Sequence, residues 1–183
     1  MNTAKKLFVA FFATTHALAS GSANTHIISN YEASIAEAEA STDDGRAWLR
    51  NCVHHWKDYS KQRSGVLNDF SAGMDSAAFG ALLEIGSSSF SRYEYVAVLD
   101  SSVKTNLAGG DRLLTDGELK HIRAVVKSEI NGMHGKAVLD KFDGDCYFLT
   151  VKLDGQTKQL AIYGGAPRTP AGMVIAELIS IGD

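Results

Sequence analysis

The hydrophobic positions change period several times along the chain, and each change marks an element. Leu7 to Ala19 is an apolar stretch interrupted by Thr14, Thr15 and His16. Ser29 to Ala40 has helical character, with Ser29 and Glu32 at capping-box spacing ahead of Ala-Glu repeats. Ser41 or Thr42 caps a second predicted helix that runs to about Ser60. Its Trp48, Leu49, Cys52, Val53, Trp56 and Tyr59 fall in one sector at about 100° per residue. Residues 62–89 are ambiguous. Met74, Ala77, Ala78, Ala81, Leu82 and Ile85 have helical spacing, whereas Gly73, Gly80 and Gly86 oppose a helix and 86–89 has loop composition.

From Phe90 the pattern turns to strands. Phe90 to Leu99 is rich in aromatic and branched residues, Asp100-Ser101-Ser102 suits a turn, and Val103 to Leu107 is placed to pair back. Ala108-Gly109-Gly110 breaks that pairing. Thr115 and Glu118 form a capping box, with Leu114 and Leu119 placed as its hydrophobic staple. Leu119, Ile122, Val126 and Ile130 then lie on one helical face, and Asn131-Gly132 stops it. Tyr147 to Leu153, Asp154-Gly155 and Gln156 to Tyr163 predict a hairpin with a two-residue type I′ turn. That turn pairs Leu153 with Gln156, Thr150 with Gln159, Leu149 with Leu160 and Tyr147 with Ile162. Gly164-Gly165 ends the hairpin, Thr169 caps a last helix with Pro170 at its first position, and Val174, Leu178 and Ile181 form its buried stripe. The order α-α, an undecided segment, then β-β-α-β-β-α predicts an α+β fold: an antiparallel sheet built from hairpins, with helices packed on one face and two N-terminal helices.

Composition adds the compartment. The chain has 183 residues, 45% of them hydrophobic and 21% charged, enough for one packed domain. Lys5 and Lys6, the apolar stretch, and small-x-small sites at Ala17-Leu18-Ala19 and Gly21-Ser22-Ala23 are the three parts of a secretory leader over residues 1–23. A single domain over 24–183 follows, with a helical part at 24–65 and a β-β-α-β-β-α part at 90–183. Losing the leader removes two lysines and no acid, which takes the net charge from −3 to −5. Without a basic block, a dedicated nucleic-acid partner is not expected. No apolar run reaches about 18 residues, so no membrane span is expected in the mature chain. The expected location is secreted or periplasmic.

Export changes the meaning of the two cysteines. In an oxidising compartment an even count favours a Cys52–Cys146 disulfide. Cys52 falls on the apolar face of the second predicted helix and Cys146 begins a predicted strand. A bridge closing this loop is worth about 4–5 kcal/mol in the chain-entropy model.

Residues 90–182 resemble a pattern of small exported bacterial domains. The resemblance is carried by the strand pair, by Leu114-Thr115-Asp116-Gly117-Glu118-Leu119, by the hairpin from Tyr147 to Gly155, by Pro167, and by the helix from Val174 to Ile181. Emfourin-type protease inhibitors are similar in this outline, as are uncharacterised exported families. The similarity covers about half the chain, implies a fold of this kind, and carries no reactive residue across.

The remaining motifs point away from a compact catalytic centre. His54 and His55 are adjacent and diverge on a helix, whereas paired ligands need spacing of three or four. His54 and Asp58 share a face and suit a surface hydrogen bond. Ser101 and Lys104 match Ser-x-x-Lys but straddle a turn rather than lying on a helix. Asp140, Asp143 and Asp145 lack the alternating pattern of a calcium loop. No metal, no cofactor and no phosphate loop is expected. Trp48, Trp56, Tyr93, Tyr95 and Tyr147 are read as core packing ahead of a binding groove. The expectation is therefore an exported binding module for a protein or small ligand, a hydrolase inhibitor being its most concrete form. Two alternatives stand beside it: an enzyme with dispersed catalytic residues, for which His54, Asp58 and His121 are the candidates, or a structural subunit of an envelope assembly.

Overall fold

The computed structural model describes residues 60–87, 93–133, 138–139, 145–163 and 169–183. The expected leader, the two predicted N-terminal helices, and the candidates Cys52, His54 and Asp58 lie outside these residues.

Helix α1 (Ser60–Met74) opens the described chain, and Leu67, Phe70 and Met74 give it one buried stripe. Strand β1 (Phe79–Ser87) follows after a short turn. Then come β2 (Tyr93–Leu99), β3 (Ser102–Thr105), the two-residue β4 (Arg112–Leu113) and helix α2 (Asp116–Glu129). A 3₁₀ turn at Ile130–Gly132 leads to the two-residue β5 (Val138–Leu139). Strands β6 (Asp145–Leu153) and β7 (Gln156–Tyr163) and helix α3 (Pro170–Gly182) complete the fold. The sheet has the order β4-β3-β2-β1-β6-β7-β5, antiparallel throughout except for the edge pair β5–β7. This is the expected α+β class.

Two sequence expectations change. The helical spacing from Met74 to Ile85 belongs to the end of α1, a turn, and the central strand of the sheet. Every residue from Phe79 to Gly86 is buried, so β1 has no polar side and shows no alternation. A short apolar run of this kind cannot be assigned by period alone. The helices also cover two faces rather than one. Odd-numbered Phe79, Ala81, Leu83 and Ile85 join Val96, Val98, Leu149 and Val151 in a core beneath α2 and α3. Even-numbered Leu82 joins Leu67, Phe70, Met74, Tyr93, Ala97, Cys146 and Phe148 in a second core beneath α1.

Local chemistry sets the register. Asp154 (φ 50°) and Gly155 (φ 77°) both take left-handed backbone, which a type I′ turn requires, and the β6–β7 pairs are those the turn predicts. Asp100 (φ 50°) turns β2 into β3, and its carboxylate accepts from Phe79 N at 3.0 Å, tying the turn to the start of β1. Past β3 the ladder is finished by side chains: Asn106 accepts from Tyr95 N at 2.8 Å and donates to Tyr93 O at 2.8 Å. Lys152 on β6 reaches over to α1, where its ammonium donates to the carbonyls of Met74 and Asp75 at the helix's negative end.

Both helix starts foreseen in the sequence form. Thr169 Oγ1 accepts from Gly172 N at 3.1 Å ahead of Pro170. At α2, Thr115 Oγ1 accepts from Glu118 N, while the Glu118 carboxylate accepts from Thr115 N at 2.7 Å and pairs with Arg112 at 2.8 Å. The Arg112 hydrogen bond and then the Thr115 backbone and hydroxyl bonds lower the Glu118 pKa from 4.5 to about 2. A carboxylate held below its unfolded pKa stabilises the fold fully above about pH 4.5 and loses that contribution as pH falls toward 2. Glu118→Gln is therefore expected to flatten the dependence of the urea midpoint on pH across that window, with no change in slope above it.

The C-terminus is locked against the loop after β3. Gly109 N donates to Gly182 O at 2.8 Å, and Arg112 reaches Ile181 O at 3.2 Å. A Cβ on Gly109 would sit 2.7 Å from that carbonyl oxygen, a backbone atom that cannot move aside alone. Gly109→Ala is expected to cost roughly 1–3 kcal/mol in urea denaturation, as overpacking does. An unchanged midpoint would show that the loop is not held against the helix end.

Candidate functional site

The face under α1 holds a charge where the sequence shows only apolar neighbours. Glu84 stands in the middle of β1 with no solvent exposure. A buried carboxylate is costly unless its oxygens are paired and hydrogen-bonded. Here Arg63 of α1 donates through Nε to Oε1 at 2.7 Å and through Nη2 to Oε2 at 3.2 Å, and Tyr93 Oη donates to Oε1 at 3.0 Å. The guanidinium also lies 5.5 Å from the ring centre of Phe148 on β6. One planar cation thus joins the helix to β1 and β6. The fork geometry makes arginine the residue suited to this place.

Tyr93 carries this order sideways. Its ring stacks on that of Tyr95, with centres 6.1 Å apart and planes at 27°. Tyr95 is the floor of a groove of about 340 Å³ between α1 and the β2–β3 hairpin. Val66, Phe70, Ala97 and Leu99 supply the rest of the apolar lining, and Gly65 opens one wall because it has no side chain. Gln62, Asp69, Ser102 and Lys104 form the rim. Lys104 Nζ lies 3.2 Å from Asp69 Oδ2, with the two side chains 55% and 69% exposed. An ion pair that wet contributes little and exchanges readily. The Tyr95 phenol is raised above 10.0 by burial, with Asp111 and Asp69 adding and Lys104 opposing, so at neutral pH it is a protonated donor. An apolar floor with a few polar groups at the rim is the usual build of a small-molecule site.

A second hollow, of about 590 Å³, lies under the opposite face, near the end of α3. It is bordered by Ile85, Glu94, Leu107, Tyr147 and Asp183 among others. Tyr147 Oη donates to Asp145 at 3.5 Å, and burial, then the Asp145 charge and that bond, push its phenol up to about 12. Among the described residues no cluster of histidine, cysteine or acidic side chains is placed to hold a metal ion.

The sequence candidates that fall on described residues lie on different elements. Cys146 lies on β6 in the second core at 2% exposure. His121 is on α2, on the other side of the sheet from the groove, 63% exposed and 3.3 Å from Glu177. Ser101 sits in the β2–β3 turn, while Lys104 lies on β3 and lines the groove. Asp145 begins β6, and Asp140 and Asp143 lie outside the described residues. Of the aromatics, Tyr93 packs in the core, Tyr95 lines the groove and Tyr147 the second hollow. Sequence reasoning missed Glu84 and Arg63; a single acid inside the apolar run Phe79 to Gly86 was the available signal. Comparison with family models, curated proteins and solved structures finds no match for the chain. Among the described residues no helix is long and apolar enough to cross a membrane.

Removing Glu84 takes away the buried carboxylate on which Arg63 and the Tyr93 hydroxyl converge. Glu84→Ala is expected to cost about 3–5 kcal/mol in chemical denaturation, and Arg63→Met in the same chain to recover part of that loss. Additive losses would show that the two groups do not act as a pair.

Proposed function

We propose that this chain is an exported binding module whose groove between α1 and the β2–β3 hairpin receives a small amphiphile with an apolar body and a carboxylate. The groove carries the reading. Its volume of about 340 Å³ suits a small ligand, and its floor of Phe70, Tyr95, Ala97 and Leu99 suits an apolar chain or ring. The rim sets the charge. Gln62, Ser102, Tyr95 and Lys104 bring donors, against one acid, Asp69. An incoming carboxylate replaces Asp69 at Lys104 with little loss, since that pair is exposed. The stacking of Tyr95 on Tyr93, itself fixed to Glu84, keeps the floor in place before the ligand arrives. Export follows from the charged start, the apolar stretch and the small-x-small sites before residue 24.

Decanoate titration followed by amide and methyl NMR signals tests this directly. Saturable shifts confined to residues around Tyr95, Leu99 and Val66 are expected, with decanol binding more weakly. Gly65→Leu fills the groove, and a Cβ there meets no atom within 4 Å. It should abolish binding while the unfolding midpoint holds or rises, because glycine inside a helix costs roughly 0.5–1 kcal/mol relative to alanine. Lys104→Met should weaken decanoate about tenfold, the value of one charge-assisted hydrogen bond. Unsaturable shifts, binding that survives Gly65→Leu, or protease inhibition without any carboxylate binding would each overturn the reading.

A further inference from the structure

The groove between α1 and the β2–β3 hairpin has two unlike ends. Tyr95, Ala97 and Leu99 lie along one face of β2 and form its floor, about 13 Å from first to last at the usual rise of a strand. Donors gather toward the Tyr95 end. The phenol and Gln62 border the groove there, and burial raises the phenol's pKa while the Lys104 charge is near enough to oppose that rise. Leu99 closes the other end. A Cβ on Gly73 of α1 would sit 2.5 Å from Leu99 Cδ1, so this leucine rests directly on the glycine. Behind it the space is full: a Cβ on Gly80 of β1 would meet Leu99 Cδ2, Met74 Cγ and Phe70 Cζ, each at 3.6 Å. The backbone beside Leu99 is held as well, since Asp100 N donates to Phe79 O at 2.9 Å and the Asp100 carboxylate accepts from Phe79 N at 3.0 Å. Among the described residues, the groove is the open direction for the Leu99 side chain.

We propose that Leu99, seated on Gly73, is the end wall that sets the longest straight-chain carboxylate this groove accepts. The inference rests on the groove being the binding site and narrows its ligand class by chain length. An extended alkyl chain advances about 1.3 Å per carbon, so the floor holds about ten carbons with the carboxylate at the Tyr95 end. Each methylene enclosed up to the wall adds about fourfold to affinity. Methylenes beyond it stay in water and add nothing. Gly73 sets the position of the wall because it has no side chain. It lies within α1 and does not take positive φ, so alanine suits its backbone. The added methyl would displace only the tip of a leucine, and the tip would turn into the groove and shorten it.

The experiment titrates the full chain with the saturated carboxylates from hexanoate to tetradecanoate, each below the concentration at which it forms micelles, and reads binding by NMR. In the native chain affinity should climb about fourfold per methylene to near decanoate and then level. Leu99→Ala removes an isopropyl group from the wall and should carry the climb about three carbons further. Gly73→Ala should end the climb earlier and weaken decanoate by about tenfold, with hexanoate unchanged. Its unfolding midpoint should hold or rise, because glycine inside a helix is less favourable than alanine. In the doubly substituted chain the leucine is no longer there to be displaced, so Gly73→Ala should lose its effect. A levelling point shared by the native chain and every variant, or a Gly73→Ala loss equal at every length, would overturn the end wall and leave the groove as the binding site. Failure of the native chain to bind at any length would overturn the binding reading itself, and the end wall with it.

Discussion

Strand β1 is covered from both sides, and this constraint organises the molecule. Its odd residues meet the core under α2 and α3 and its even residues meet the core under α1, so neither face has water to solvate a charge. Glu84 sits at that most enclosed position. A carboxylate there must find donors on a neighbouring element, and it finds them on α1 and β2. Apolar packing alone would let a helix slide along a sheet. The bidentate Arg63–Glu84 contact fixes where α1 stands along β1 and leaves Phe70 and Met74 to seal the rest.

The mismatch between helix width and sheet width then leaves room for the groove. Two helices share the first face, whereas α1 is the one described helix on the second. Where it stops short, toward β3, Tyr95, Ala97 and Leu99 form the floor of a groove. That floor does not depend on the ligand for its shape. Tyr95 is stacked on Tyr93, whose hydroxyl is spent on Glu84, and the Tyr95 backbone is held by Asn106 and Thr105. The interaction that anchors the helix thus also stiffens the proposed binding surface.

The other side of the sheet is closed by different means. The end of α3 lies close against the β3–β4 loop and β2: an added Cβ would meet Gly182 O at 2.7 Å from position 109, and Val96 and Leu107 side-chain atoms at 2.6 and 2.8 Å from position 182. Arg112 joins the same corner to the start of α2 through Glu118. These contacts bind the last helix to the hairpin that carries Lys104, so the groove rim rests on a braced edge.

The sequence by itself determined whatever depends on neighbours a few residues apart. The Asp154-Gly155 turn, the β6–β7 register, the Thr115–Glu118 box and the Thr169-Pro170 start are all short-range chemistry, and the structure forms each of them as expected. The α2 and α3 stripes were legible for the same reason, since each helix has one wet side. Only the tertiary structure decided the rest. The central strand was hidden because burial on both faces erases the alternation that marks a strand. The second covered face was hidden because no local pattern says which side of a sheet a helix will choose. The Arg63–Glu84 pair joins residues 21 positions apart on different elements. The groove residues come from α1, β2 and β3 together, and only packing brings them to one place.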